Sequence, residues 1–184
     1  DFHPRTRWNE FQNLKPNSVD LIFLGSSHCY RTFNPIVYDS VLNLNSFNLG
    51  SAIQTPLTSL FVLKEALASQ KPKFVVLEVY YRTFLDADYR QYRSASYNFE
   101  FMKNSEVKFD FLRRSFGMDA FHILLPSNRY KRGLNYLLKG YKRNDRDEYE
   151  VKGYVSRNDT LDPSRVYKSP VFNFSPSALN IDQV

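Results

Sequence analysis

The stretch VDLIFLGSSH, residues 19–28, holds a short apolar run that stops abruptly at a glycine and two serines. An apolar run of strand length, with no alternating polar positions, predicts a strand buried on both faces, as in a parallel sheet. Open α/β sheets place their chemistry in the loops beyond the carboxyl ends of such strands, which turns attention to Ser27. Two further strand-like runs follow, SFNLG at residues 46–50 and KFVVLEVYY at residues 73–81. Between the three runs, Pro35 opens one helix, and Thr55 with Pro56 at the first helical position opens another that extends through Ser69. The order strand, helix, strand, helix, strand predicts parallel strands joined by right-handed crossovers, the beginning of a doubly wound α/β fold.

Beyond Phe84 the texture changes to a long aromatic and basic region. Within it Ser105 is placed to cap a helix over residues 106–116, where Val107, Phe111 and Leu112 recur at helical spacing, and a second helix is predicted over residues 128–138. Residues 139–168 are polar and rich in turn formers, as expected of a surface loop or short hairpin. The organisation expected is one domain over residues 1–184, with a core at 19–85, a helical and basic insertion at 86–168, and a return to the core at 169–184. Ser175 and Pro176 make a good helix start with only eight residues after them, and the chain opens on Asp1 rather than Met. The expectation is therefore a processed or excised segment that is incomplete at its C-terminus.

Composition narrows the function classes. With 184 residues, 42% of them apolar and 16% aromatic, the chain can bury one sizeable core. Lys and Arg outnumber Asp and Glu by 25 to 19, a formal charge of +6 that bears on solubility and nonspecific partners more than on fold. The single Cys29 excludes an internal disulfide framework and any paired-cysteine metal site. No apolar run reaches the ~18 residues of a membrane-spanning helix, and the first residues lack the apolar core of a secretory signal. The loop after the first strand matches neither GxxxxGK[ST] nor GxGxxG, which weighs against a nucleotide-binding domain.

In combination, LIFLGSSHCYRTFNP, FNLGSAIQTP and KPKFVVLEVYYRTF resemble the opening half of SGNH hydrolases. The similarity is greatest to the bacterial cell-envelope members related to polysaccharide acyltransferases and to the teichoic-acid D-alanylation protein. It covers residues 19–84. The resemblance implies a three-layer α/β/α sandwich around a parallel sheet, flavodoxin-like in outline, carrying a helical insertion. It also implies Ser27 as nucleophile in the Gly25-Ser26-Ser27 block, and the N–H groups of Ser27 and Gly50 as oxyanion-hole donors. A serine esterase or O-acyltransferase acting on envelope or exopolysaccharide glycans follows, with no metal and no cofactor, in a periplasmic or other extracytoplasmic setting. A membrane anchor would belong to a segment outside this chain. Two family features have no match: the third strand runs into Glu78, Val79, Tyr80 and Tyr81 without the family Asn, and no His follows His122 to supply an Asp-x-x-His block. The expected general base is thus assigned to a later part of an intact parent.

Each residue also has a plainer reading. Gly-Ser-Ser at a strand end serves elsewhere as a turn with a helix cap, and Gly50 as a turn glycine. Adjacent side chains diverge, so His28 and Cys29 do not read as a nucleophile pair or metal site; His28 is a candidate for shaping the site or binding substrate. Arg31 and Arg82 follow the first and third strands, where guanidinium groups suit an anionic sugar or phosphate, or else stand solvated. His122, among apolar residues, reads as a packing histidine. The basic, tyrosine-interleaved stretch at residues 129–143 suits an anionic polymer or membrane surface, or is simply a solvated helix face. Nucleic acid is not expected, because no RNP, helix-turn-helix or zinc-finger pattern is present. The alternative to an enzyme is a noncatalytic glycan-binding or envelope-assembly protein on the same fold.

Overall fold

The computed structural model describes residues 2–84, 94–95, 97–117 and 147–157. Strands β1 (Leu21–Leu24), β2 (Ser46–Asn48) and β3 (Phe74–Leu77) form a three-stranded parallel sheet in the order β2-β1-β3. In register, Leu21 lies opposite Ser46 on one side and Phe74 on the other, and Leu24 lies opposite Leu77. The α/β character expected from the strand and helix alternation is present. Helices α1 (Phe2–Gln12), α2 (Ser27–Thr32), α3 (Pro35–Leu42), α4 (Pro56–Leu67) and α5 (Ser105–Phe116) surround the sheet, and an antiparallel pair, β4 (Asp147–Tyr149) and β5 (Val155–Arg157), follows.

Side chains alternate across a strand, and β1 uses both faces. Ile22 and Leu24 join Trp8 and Phe11 of α1, Phe61 and Val62 of α4 and Phe111 of α5 in the larger apolar cluster. Leu21 and Phe23 point the other way, into a smaller cluster with Cys29, Phe33 and Tyr38. All four residues of β1 are buried, as its unbroken apolar run requires. The equally apolar β3 is exposed along its whole length, from Phe74 at 57% to Leu77 at 47%.

Local signals explain the helix starts. Asn34 Oδ1 accepts from the Ile36 N–H and Thr55 Oγ1 from the Thr58 N–H, each followed by a proline at the first helical position. The cap of α5 is a correction: Asn104, one residue before the expected Ser105, takes the N–H groups of Glu106 and Val107. The Asn104 amide oxygen, one atom further from the backbone than a serine hydroxyl, reaches both donors, and Ser105 becomes the first helical residue. Helix α1 carries no clean apolar stripe, yet it buries Trp8 and Phe11 completely or nearly so.

The short hairpin is found within the polar stretch and serves the sheet. The Asn48 N–H donates to Lys152 O at 2.8 Å, so the β4–β5 turn closes the outer edge of β2. Gly153 makes this approach feasible: its φ is +84°, and a Cβ there would stand 1.8 Å from Asn48 O. Glu10 of α1 fastens the same turn, accepting from the Lys152 N–H and the Tyr149 hydroxyl. The predicted helix at 128–138, the basic stretch at 129–143, His122 and the return at 169–184 lie outside the described residues. No helix among the described residues is long and apolar enough to cross a membrane.

Candidate active site

The chain leaves β1 to one side for β2 and then crosses to the other side for β3. The carboxyl ends of β1 and β3 therefore border the position where the connections diverge, the place at which open α/β sheets form a binding crevice. Gly25 ends β1 with φ +149°, and a Cβ there would lie 2.6 Å from Glu78 Cβ. Only glycine permits both the backbone angle and the approach.

Glu78 follows Leu77 directly, and its N–H donates to Leu24 O at 2.8 Å, which holds it level with Gly25. Its Oε2 accepts from the Ser26 N–H at 2.7 Å and from the Ser26 hydroxyl at 2.8 Å. Ser26 Oγ also accepts the His28 N–H at 3.3 Å, capping α2, and lies 3.1 Å from His28 Nδ1. The His28 ring rests against Tyr80 of the β3 loop, with centroids 4.4 Å apart. A carboxylate, a hydroxyl and an imidazole thus stand in a hydrogen-bonded row across the ends of β1 and β3.

Ser27, next to that row, is half-buried at the start of α2, and its hydroxyl has no hydrogen-bond partner among the described residues. Arg31 lies on the same helix with its guanidinium 5.3 Å from the Tyr30 ring centre. Arg82 falls in the short 3-10 turn Tyr81–Phe84, and its side chain lies outside the described residues. Gly50 is buried beyond β2, and its N–H donates to Asn48 Oδ1 at 2.9 Å. An oxyanion donor at Gly50 would have to release that bond.

Comparison of the chain with protein-family models, with curated proteins and with solved structures finds no match.

Asn48 holds the floor of the site together. Its amide donates to Cys29 O and Phe33 O, each at 3.0 Å, while its oxygen takes the Gly50 N–H, so it joins α2 to the loop after β2. Arg7, buried in α1, reaches the same loop by donating to Gly50 O and to Asn98 Oδ1. Burial lowers its guanidinium to about 10, which leaves it cationic at neutral pH. The Gly50 carbonyl it binds belongs to the peptide whose Ser51 N–H donates to Gly25 O at 3.0 Å, so Arg7 also steadies the β1 loop. Burial first, and then the charge of Glu78, pushes the Cys29 thiol up to about 12, so this cysteine is a packing residue rather than a nucleophile.

Glu78, Ser26, Asn48 and Arg7 are absent from the sequence-based site. Glu78 had a signal: it is the carboxylate inside the apolar run at residues 73–81, and the parallel register that pairs Leu24 with Leu77 brings it level with Gly25. Asn48 stands inside the NLG motif, whose glycine carries the expected oxyanion role. Nothing in the sequence ties Arg7 to residues so distant. A cavity of about 340 Å³ between α1 and α4, with Trp8, Phe11 and Glu65 in its wall, shares no residue with this cluster. The Glu65 carboxylate there is already engaged by the N–H groups of Lys103 and Asn104. Among the described residues, no group of His, Cys, Asp or Glu side chains is arranged for a metal ion.

Proposed function

We propose that the protein is a serine esterase or O-acyltransferase of SGNH type, built on a three-layer α/β/α sandwich and acting on envelope or exopolysaccharide glycans through an acyl-enzyme on Ser27. The supporting observation is the position of Ser27: half-buried, unpartnered among the described residues, and beside the carboxylate, hydroxyl and imidazole row at the β1 and β3 ends. A serine hydroxyl attacks an acyl carbon only when a base takes its proton and donors meet the oxyanion. The Ser27 N–H is a proposed donor, with Gly50 the second once its bond to Asn48 opens. Arg31 and Arg82 are proposed contacts for acidic groups on the glycan, in an extracytoplasmic setting. Hydrolysis and transfer differ only in whether water or a sugar hydroxyl resolves the acyl-enzyme.

A second reading, noncatalytic glycan binding on the same fold, draws on one observation: the Gly50 N–H is already satisfied within the protein. Hydrolysis of p-nitrophenyl acetate separates the two. The acyl-transfer reading expects hydrolysis that Ser27→Ala lowers by ~100-fold or more. Hydrolysis unchanged in Ser27→Ala would refute it, and its absence alongside retained glycan binding would establish the second reading.

A further inference from the structure

Ser26 Oγ determines which nitrogen of His28 carries the proton. A hydroxyl has one proton to give and two lone pairs to accept with. An ionised carboxylate only accepts, so at 2.8 Å the Ser26 proton goes to Glu78 Oε2. One lone pair of Ser26 Oγ takes the His28 N–H at 3.3 Å. The other faces His28 Nδ1 at 3.1 Å, and an oxygen that has spent its proton meets that nitrogen only as an acceptor. Nδ1 must then bear a hydrogen, and in the neutral imidazole the lone pair lies at Nε2. Contact with the Tyr80 ring, 4.4 Å between centroids, restrains the imidazole in this orientation, and His28 is exposed to incoming molecules.

We propose that His28 is the proton-transfer residue of this site, with Ser26 and Glu78 as positioning residues that fix its Nδ1–H tautomer. The role rests on the acyl-transfer reading; the tautomer does not. In the first half-reaction a bond forms between Ser27 Oγ and the acyl carbon, the Ser27 proton passes to Nε2 through one water because neighbouring side chains on a helix diverge, the ester C–O bond breaks, and the proton leaves on the departing alcohol. In the second half a water or sugar hydroxyl attacks the same carbon, gives its proton to Nε2, and the proton returns through the bridging water to Ser27 Oγ as the acyl–serine bond breaks. No electrons are exchanged with any other group. The row Glu78, Ser26, His28 places a hydroxyl between acid and imidazole, where a serine triad has direct contact.

The test is long-range ¹H–¹⁵N NMR on the full chain labelled at histidine, with the His28 signals identified by their loss in His28→Gln. The expected spectrum at neutral imidazole shows a proton-bearing Nδ1 and a bare Nε2, reversed in Ser26→Ala, because free imidazole side chains favour the Nε2–H form. Ser26→Thr, which keeps the hydroxyl and the cap, should retain the wild-type pattern and guards against misfolding of the alanine variant. A wild-type His28 protonated at Nε2 would overturn the proposal. For the role, kcat for p-nitrophenyl acetate should fall ~100-fold or more in His28→Gln with KM held. Unchanged kcat in His28→Gln, with Ser27→Ala inactive, would overturn the role of His28 and leave the acyl-transfer reading standing. No hydrolysis by the wild type would remove that reading and the role with it, whatever the tautomer.

Discussion

Glu78 is one carboxylate with three effects: its oxygen holds the Ser26 N–H and hydroxyl, its bulk makes Gly25 obligatory, and its charge helps keep Cys29 protonated. The last effect can be measured. With the Cys29 thiol raised from 9.0 to about 12, the folded state keeps the proton that the unfolded chain begins to lose near 9. Its contribution to stability is therefore whole below pH 9 and drains away as the pH climbs toward 12. Alkylation by iodoacetamide at pH 8 should accordingly leave Cys29 untouched in the native protein and modify it fully in denaturant; rapid native labelling would show that the thiol is neither buried nor suppressed. At this scale the sequence exposed residues that sit in short motifs. Ser27 and Gly50 were visible in GSS and NLG, whereas Glu78 needed the strand register and Arg7 needed the docking of a helix far away in the chain.

Two strands of nearly equal apolarity meet different fates because of where they lie in the sheet. β1 is central and covered on both faces, while β3 is the edge strand among the described residues, with Val79 just beyond it 61% exposed. Ile22→Ala should cost about 2–5 kcal/mol, the range for emptying a packed site, whereas Val79→Thr should change stability by less than about 0.5 kcal/mol. Urea denaturation of the two variants checks this, and comparable losses would mean that β3 is covered as β1 is. The strands and the helices opening at Pro35 and Pro56 were legible because apolar runs, caps and prolines are local signals. Helix α1 was not, since Arg7 interrupts its buried side beside Trp8, and a buried guanidinium looks like a solvated one in sequence. The hairpin was legible only as a polar, turn-rich stretch; its role in closing the β2 edge depends on Glu10 and Asn48, both distant in the chain.

For the molecule as a whole, a formal charge of +6 includes the basic, tyrosine-interleaved residues 129–143. An anionic glycan substrate suits that balance, since charge attraction raises the local concentration of a polyanion and fades as salt screens it. The chain should be retained on a heparin matrix and released by raised salt, with no retention on an uncharged dextran; salt-insensitive or absent retention would exclude an electrostatic role. At the centre of the molecule's proposed chemistry is the Ser27 hydroxyl, beside the Glu78, Ser26 and His28 row, as nucleophile. Its most direct test is intact-mass spectrometry of the folded chain after treatment with a fluorophosphonate, followed by peptide mapping. One adduct is expected, on Ser27, and none in Ser27→Ala. A folded wild-type protein that stays unmodified, or an adduct that persists in Ser27→Ala, would show that Ser27 is not the nucleophile.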